Sequence, residues 1–233
     1  MKRSQEIVVF DMDGVLVEVS ESYRETICQT VRHFTGQTIT RELVQEYKNR
    51  GGFNNDWLLS QTIARDLGVE VAYETVIAEF NRLFFGEITD GIPSGLMARE
   101  RWLPAPGLLE LLSRAYQLAI FTGRLRDEAM LTLNRFARDI PFAPLIGAGD
   151  VVHGKPHPEG LDKIRAAHPG QELWYVGDTV DDARSAHAAG VPFIGIAAAE
   201  VPFRDRLLEL FEQYSAVAVI EHIDRIPAIL ENR

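Results

Sequence analysis

The run Ile7-Val8-Val9-Phe10 constrains this chain more than any other stretch. Its apolar residues are consecutive, mostly β-branched and free of polar alternation, which predicts a strand covered on both faces. Such strands belong to parallel sheets, and open parallel sheets place their ligands beyond the carboxyl ends of the strands. Asp11 and Asp13 stand at that end, followed by Gly14, which permits a tight turn. Two carboxylates at i and i+2 repel by roughly 4 kcal/mol at about 4 Å and an effective dielectric of about 20. The pattern calls for a cation or a proton between them. Alone, Asp-Met-Asp-Gly is also an ordinary polar turn, so the choice rests on the rest of the chain.

Behind this strand the apolar spacing turns helical for some eighty residues. Ser22 and Glu25 predict a capping box, with Tyr23, Ile27, Val31 and Phe34 on one face and Gly36 as the stop. A second helix is expected from Thr40 to Lys48. A third follows Asn55 with Leu58, Leu59, Thr62, Ile63 and Leu67 on its stripe, and a fourth spans Tyr73 to Phe85. The Pro- and Gly-rich segments from Asp90 to Gly95 and from Leu103 to Gly107 read as a return linker. From Leu108 onward helices and strands alternate. Strands are expected at Leu118–Phe121, near Leu145, at Leu173–Val176, at Phe193–Ile196 and at Ala216–Ile220. The reading is an α/β fold: a doubly wound, parallel, Rossmann-like core made of residues 1–16 and 103–233, carrying an inserted all-helical subdomain with its linkers at 17–102.

Composition narrows the partners. The chain has 233 residues, 46% of them hydrophobic, and a net charge of −10. Nucleic acid and anionic membranes need a cationic footprint, so neither is expected as the main partner. Neither a signal-peptide core nor a membrane-length apolar run is found, and Cys28 is the only cysteine. The expectation is a cytoplasmic protein whose thiol is packed and inert.

Three further stretches fall where a loop leaves a sheet strand. Thr122-Gly123-Arg124 offers a hydroxyl and a glycine amide suited to an anionic oxygen. Gly154-Lys155-Pro156 places a lysine ahead of a helix. Gly177-Asp178-Thr179-Val180-Asp181-Asp182 ends an apolar strand with three acids in five residues. Asp178 or Asp182 alone would pass for a helix cap, but joined to Asp11 and Asp13 they make more negative charge than caps explain. In this order and spacing the motifs resemble the haloacid dehalogenase superfamily of aspartate-nucleophile phosphotransferases, with Asp11-Met12-Asp13-Gly14-Val15 as the first motif, Thr122 the second, Lys155 the third and Gly177-Asp178 through Asp182 the fourth. The resemblance covers essentially the whole chain, because the helical insertion falls where that family carries its C1-type cap.

The resemblance implies a division of labour. Asp11 attacks a phosphoryl group, and Asp13 protonates the leaving oxygen and then activates water. Mg²⁺ is held by the Asp11 carboxylate, the Asp13 carbonyl and the Asp178 carboxylate. Lys155, Thr122 and the Gly123 amide steady the phosphate oxygens, and Asp182 orients Lys155 or a metal-bound water. Asp181 is expected to face solvent, and one of His153 and His157 to stack at the surface. In the insertion, Arg50, Gly51, Gly52, Asn54 and Asn55 form a loop suited to reading a leaving group, or equally a helix–helix turn with Asn54 or Asn55 as cap and Phe53 and Trp57 as packing. The implied activity is a Mg²⁺-dependent phosphatase for a small phosphorylated metabolite, with a sugar-phosphate mutase and, from another class, a phospho-receiver module as rivals. Dehalogenase and phosphonate hydrolase activities are disfavoured, since both lack an acid at the place of Asp13.

Overall fold

The computed structural model describes residues 6–231. The chain opens in β1 (Glu6–Phe10) and leaves through the two-residue strand β2 (Val17–Glu18). Four helices follow, α1 (Tyr23–Thr35), α2 (Arg41–Arg50), α3 (Asp56–Asp66) and α4 (Tyr73–Phe85). The short strands β3 (Ile88–Thr89), β4 (Ile92–Pro93) and β5 (Arg101–Trp102) come next. Helices and strands then alternate: α5 (Leu108–Ala115), β6 (Gln117–Phe121), α6 (Arg126–Phe136), β7 (Phe142–Ile146), α7 (Glu159–Ala167), β8 (Glu172–Gly177), α8 (Val180–Ala189), β9 (Phe193–Ile196), α9 (Arg204–Gln213), β10 (Ala218–Ile220) and α10 (Ile226–Glu231). Two compact units result, one running up to Val17 and again from Trp102, the other spanning Glu18–Arg101. Among the described residues no helix is long and apolar enough to cross a membrane.

The first unit is built on a six-stranded parallel sheet in the order β10-β9-β8-β1-β6-β7. Ile7, Val8, Val9 and Phe10 are wholly buried, as a strand without alternation should be when both faces are covered. Each such side chain contributes about 1.5–3 kcal/mol of burial. Ile7, Val9, Phe121, Tyr175, Phe193 and Phe211 share a core with Leu161 and Ile164 of α7 and Ala183 and Ala186 of α8. Strand order turns back around β1, with β6 and β7 on one side and β8, β9 and β10 on the other. That switch point is where an open α/β sheet opens a crevice at its carboxyl edge. Register aligns the edge, since Phe10 stands opposite both Ile120 and Val176.

The second unit packs α1 to α4 around Tyr23, Ile27, Val31, Leu59, Ile63, Val76, Phe80 and Phe84. The Tyr23 and Phe84 rings lie 4.1 Å apart. Three local expectations change here. Ser22 makes no side-chain cap; its hydroxyl faces the Val19 carbonyl while Glu25 accepts from Gln29, so neither half of the box is available. Leu58 is exposed, because the buried stripe of α3 runs through Leu59 and Ile63, about 100° round the helix from its neighbour. The segment read as linker contains a hairpin: Ile88 pairs with Pro93 and Thr89 with Ile92. Asp90 (φ 53°) and Gly91 (φ 75°) turn it, the left-handed pair that a type I′ turn requires.

Candidate active site

Four loops at the carboxyl edge of the sheet carry the charged groups. Asp11 follows β1 directly, and its amide donates to the Val176 carbonyl at 2.9 Å, which ties the ends of β1 and β8 together. Thr122 follows β6, its amide donating to the Ile146 carbonyl at 3.0 Å. Lys155 lies in the loop between β7 and α7, and Asp178 and Asp182 begin the β8–α8 connection.

Lys155 is the hub. Its Nζ lies 2.9 Å from Asp11 Oδ1 and 2.7 Å from Asp182 Oδ1, with all three side chains buried. The ammonium also sits 5.0 Å from the Phe121 ring centroid and 5.4 Å from that of Tyr175, a cation–π setting strengthened by the dry surroundings. Burial alone would lower the lysine pKa, but the two carboxylates raise it above its ordinary value, so the group stays charged. Asp182 is burdened by burial as well, yet Lys155 and the hydrogen bonds from Thr179 and Tyr175 hold it below the usual carboxylate range.

Asp182 has little capacity left. Its Oδ1 accepts from Tyr175 Oη at 2.6 Å, and its Oδ2 accepts from the Thr179 amide at 3.0 Å and hydroxyl at 2.6 Å. The Asp182 amide returns a bond to Thr179 Oγ1, closing a capping box on α8. The cap and the lysine partner are therefore one residue. Burial, first of all, pushes Asp11 up to about 7, with Asp182 and Asp13 adding to the rise and Lys155 opposing it. Desolvation thus outweighs the neighbouring ammonium at this carboxyl.

Oxygen atoms of Asp11, Asp178 and Asp182 lie within 4.8 Å of one another. With Asp182 committed, Asp11 and Asp178 are the carboxylates that suit a hard divalent cation, an all-oxygen donor set of the kind Mg²⁺ takes. Gly14 makes room for one of them: it holds φ +73°, and a Cβ there would stand 1.9 Å from Asp178 Oδ2.

Asp13 is approached from the side. Arg124, the residue after Gly123, sends Nε and Nη2 to Asp13 Oδ1 at 2.8 and 2.5 Å. Neither Arg124 nor Tyr175 was assigned a role from sequence. A strand-end arginine reads as solvated, and a tyrosine inside an apolar strand reads as core. Asp181 does not face solvent: it is 3% exposed, with Arg184 3.8 Å away, because α8 turns that side chain inward. The exposed rings of His153 and His157 lie 4.9 Å apart. Burial pushes the Cys28 thiol up to about 11, an unreactive state.

In the second unit, the α2–α3 loop holds Arg50, Gly51, Gly52, Asn54 and Asn55 together. The side chains of Arg50 and Asn55 are engaged within the unit. Arg50 pairs with Glu46 at 2.6 Å and lies over the Tyr47 ring. Asn55 caps α3, accepting from the Leu58 amide at 2.9 Å, and donates to Tyr73 Oη. Phe53 packs edge-on against Tyr47, and Trp57 against Phe80.

A doubly wound parallel sheet with acids and a buried lysine converging on its carboxyl edge defines an α/β protein with a polar site at its topological switch point. The model of the haloacid dehalogenase-like hydrolases matches residues 5–190, and the chain belongs to that family. It is 32% identical over 251 residues to an imidazoleglycerol-phosphate dehydratase of Phytophthora nicotianae, a match that takes in 95% of this chain and 52% of that protein. The chain thus spans about half the length of that relative. It is 25% identical to a phosphoglycolate phosphatase of Mesorhizobium japonicum, covering 99% of this chain and 96% of the other. The solved structure of a hydrolase from Pseudomonas syringae shares the fold with a TM-score of 0.72 at 18% identity, over 97% of this chain and 99% of that one.

Proposed function

We propose that this protein is a Mg²⁺-dependent phosphatase that hydrolyses a small phosphate monoester through an aspartyl-phosphate on Asp11. The observation that carries the reading is the Lys155 ammonium set between Asp11 and Asp182, with Asp178 against the same cluster. An Asp11 carboxylate oxygen attacks phosphorus, the ester P–O bond breaks, and Asp13 passes a proton to the departing alkoxide. Asp13, now ionised, takes a proton from water. That water cleaves the new P–O bond and frees phosphate with Asp11 restored. Lys155, Thr122 and the Gly123 amide hold the phosphate oxygens through both steps. The Asp11 and Asp178 carboxylates and the Asp13 carbonyl would hold Mg²⁺, which would supply charge to offset the anions brought together. The helical unit is assigned the choice among esters, with Arg50, Gly51, Gly52, Asn54 and Asn55 of its α2–α3 loop as the candidate residues.

The test is release of inorganic phosphate with Mg²⁺ across a panel of small esters. Phosphoglycolate and imidazole-bearing phosphates are included because two relatives carry such compounds in their names. Turnover is expected for at least one ester, and Asp11→Asn abolishes it. Isomerisation of a sugar phosphate that needs a bisphosphate primer, without free phosphate, would establish the mutase instead. A stable phosphorylated protein with negligible turnover would establish the receiver module.

A further inference from the structure

Arg124 is buried to 2% exposure, the bulkiest side chain so enclosed among the described residues, and two of its guanidinium nitrogens reach the first loop of the fold. Its Nε and Nη2 both point at one atom, Asp13 Oδ1, at 2.8 and 2.5 Å. Its Nη1 donates to Thr132 Oγ1 of α6 at 2.7 Å, and its amide donates to Thr122 Oγ1 at 3.2 Å. An arginine fork that meets a carboxylate squarely spreads two N–H groups over two oxygens. Here Nε and Nη2 converge on Oδ1 instead. The Asp13 side chain keeps 29% of its surface exposed against 1% for Arg124.

We propose that Arg124, anchored by Thr132, is a positioning residue that fixes the plane of the Asp13 carboxyl and leaves Oδ2 as the oxygen that exchanges protons. Charged donors occupy Oδ1, which leaves Oδ2 to meet the leaving group. Protonated there, Asp13 faces the leaving-group oxygen. After it has given up that proton, the same oxygen accepts one from the attacking water. The inference rests on the phosphatase reading and adds to it a residue that touches no substrate.

Leaving-group dependence tests it, because p-nitrophenolate departs without a proton and an alkoxide does not. The value of kcat/KM covers only the steps through release of that first product. Arg124→Lys keeps the charge without the fork, Arg124→Met removes both, and Thr132→Val loosens the anchor while sparing the pair. For the Arg124 variants kcat/KM toward an alkyl phosphate is expected to fall about 10²-fold or more, within the range of general-acid assistance, and toward p-nitrophenyl phosphate by less than about fivefold. Thr132→Val shows the same split in smaller measure and guards against misfolding of the Arg124 variants. Equal losses on both esters, or an alkyl rate that does not change in any variant, overturn the proposal while leaving the phosphatase reading in place. A wild-type protein that releases phosphate from no ester of the panel overturns both.

Discussion

At the scale of single residues the site is a contest between burial and charge. Lys155 is enclosed with Asp11 and Asp182 on either side, so removing it strands two buried carboxylates. Lys155→Met should destabilise the protein by about 3–5 kcal/mol, the usual cost of breaking a buried pair from one side. Asp11→Asn is different. Burial holds the Asp11 carboxyl up to about 7, so its ionised form is already disfavoured, and Lys155 keeps Asp182 as partner. Denaturant unfolding in a chelator should therefore show Asp11→Asn at least as stable as the wild type, with turnover lost. A marked loss of stability in that variant would mean that Asp11 is mainly a structural counter-ion. Gly14 belongs to the same contest. A methyl there meets Asp178 Oδ2 at 1.9 Å on a backbone at φ +73°. Gly14→Ala should cost about 1–3 kcal/mol in strain and weaken Mg²⁺ binding in a calorimetric titration by displacing the carboxylate.

At the scale of elements, the loop that delivers Lys155 is held by one acid. The Glu159 carboxylate accepts from the amides of Val152 and His153 at 2.9–3.1 Å and lies 2.9 Å from Lys163 Nζ. The Lys163 ammonium, and then the two amides, bring its pKa from 4.5 down to about 2. A depressed acid adds stability that is whole above its unfolded value and lost as pH falls through its folded one. The expected window is thus pH 4.5 down to about 2, and Glu159→Gln should flatten the acid limb of the unfolding midpoint there while leaving other pH values parallel. An unchanged limb would show that the loop does not depend on this acid. Such elements differ in how openly the sequence declares them. The run from Ile7 to Phe10 and the period of α1 and α4 announce themselves because their apolar residues repeat over many positions. The hairpin from Ile88 to Pro93 has strands of two residues, too short for any period, and only the Asp90-Gly91 pair signalled it. The acids and glycines at the strand ends were legible for the same reason as β1, since they are local patterns. Arg124 was not, because its burial is set by Asp13, 111 positions away, and no local spacing encodes that meeting.

For the molecule as a whole, the question is what the helical insertion adds. Each unit has an apolar centre of its own, the sheet core around Val9, Phe121 and Tyr175 in one and the Tyr23, Phe80 and Phe84 cluster in the other. The chain departs at β2 and returns at β5, and these two strands pair with each other, so the ends of the insertion are neighbours at roughly 5 Å, the spacing of adjacent strands. A two-residue Asn-Gly turn fits such a gap. Replacing Glu18–Arg101 with that turn should leave a core that unfolds cooperatively and still hydrolyses p-nitrophenyl phosphate in the presence of Mg²⁺. Every group assigned to bond-making, from Asp11 to Asp182, lies in the sheet unit. What should disappear is choice: the spread of kcat/KM across small phosphate esters is expected to narrow by about tenfold or more, because discrimination by a few polar contacts is worth a few kcal/mol. A shortened protein that discriminates as well as the full chain would show that substrate choice rests in the sheet unit alone.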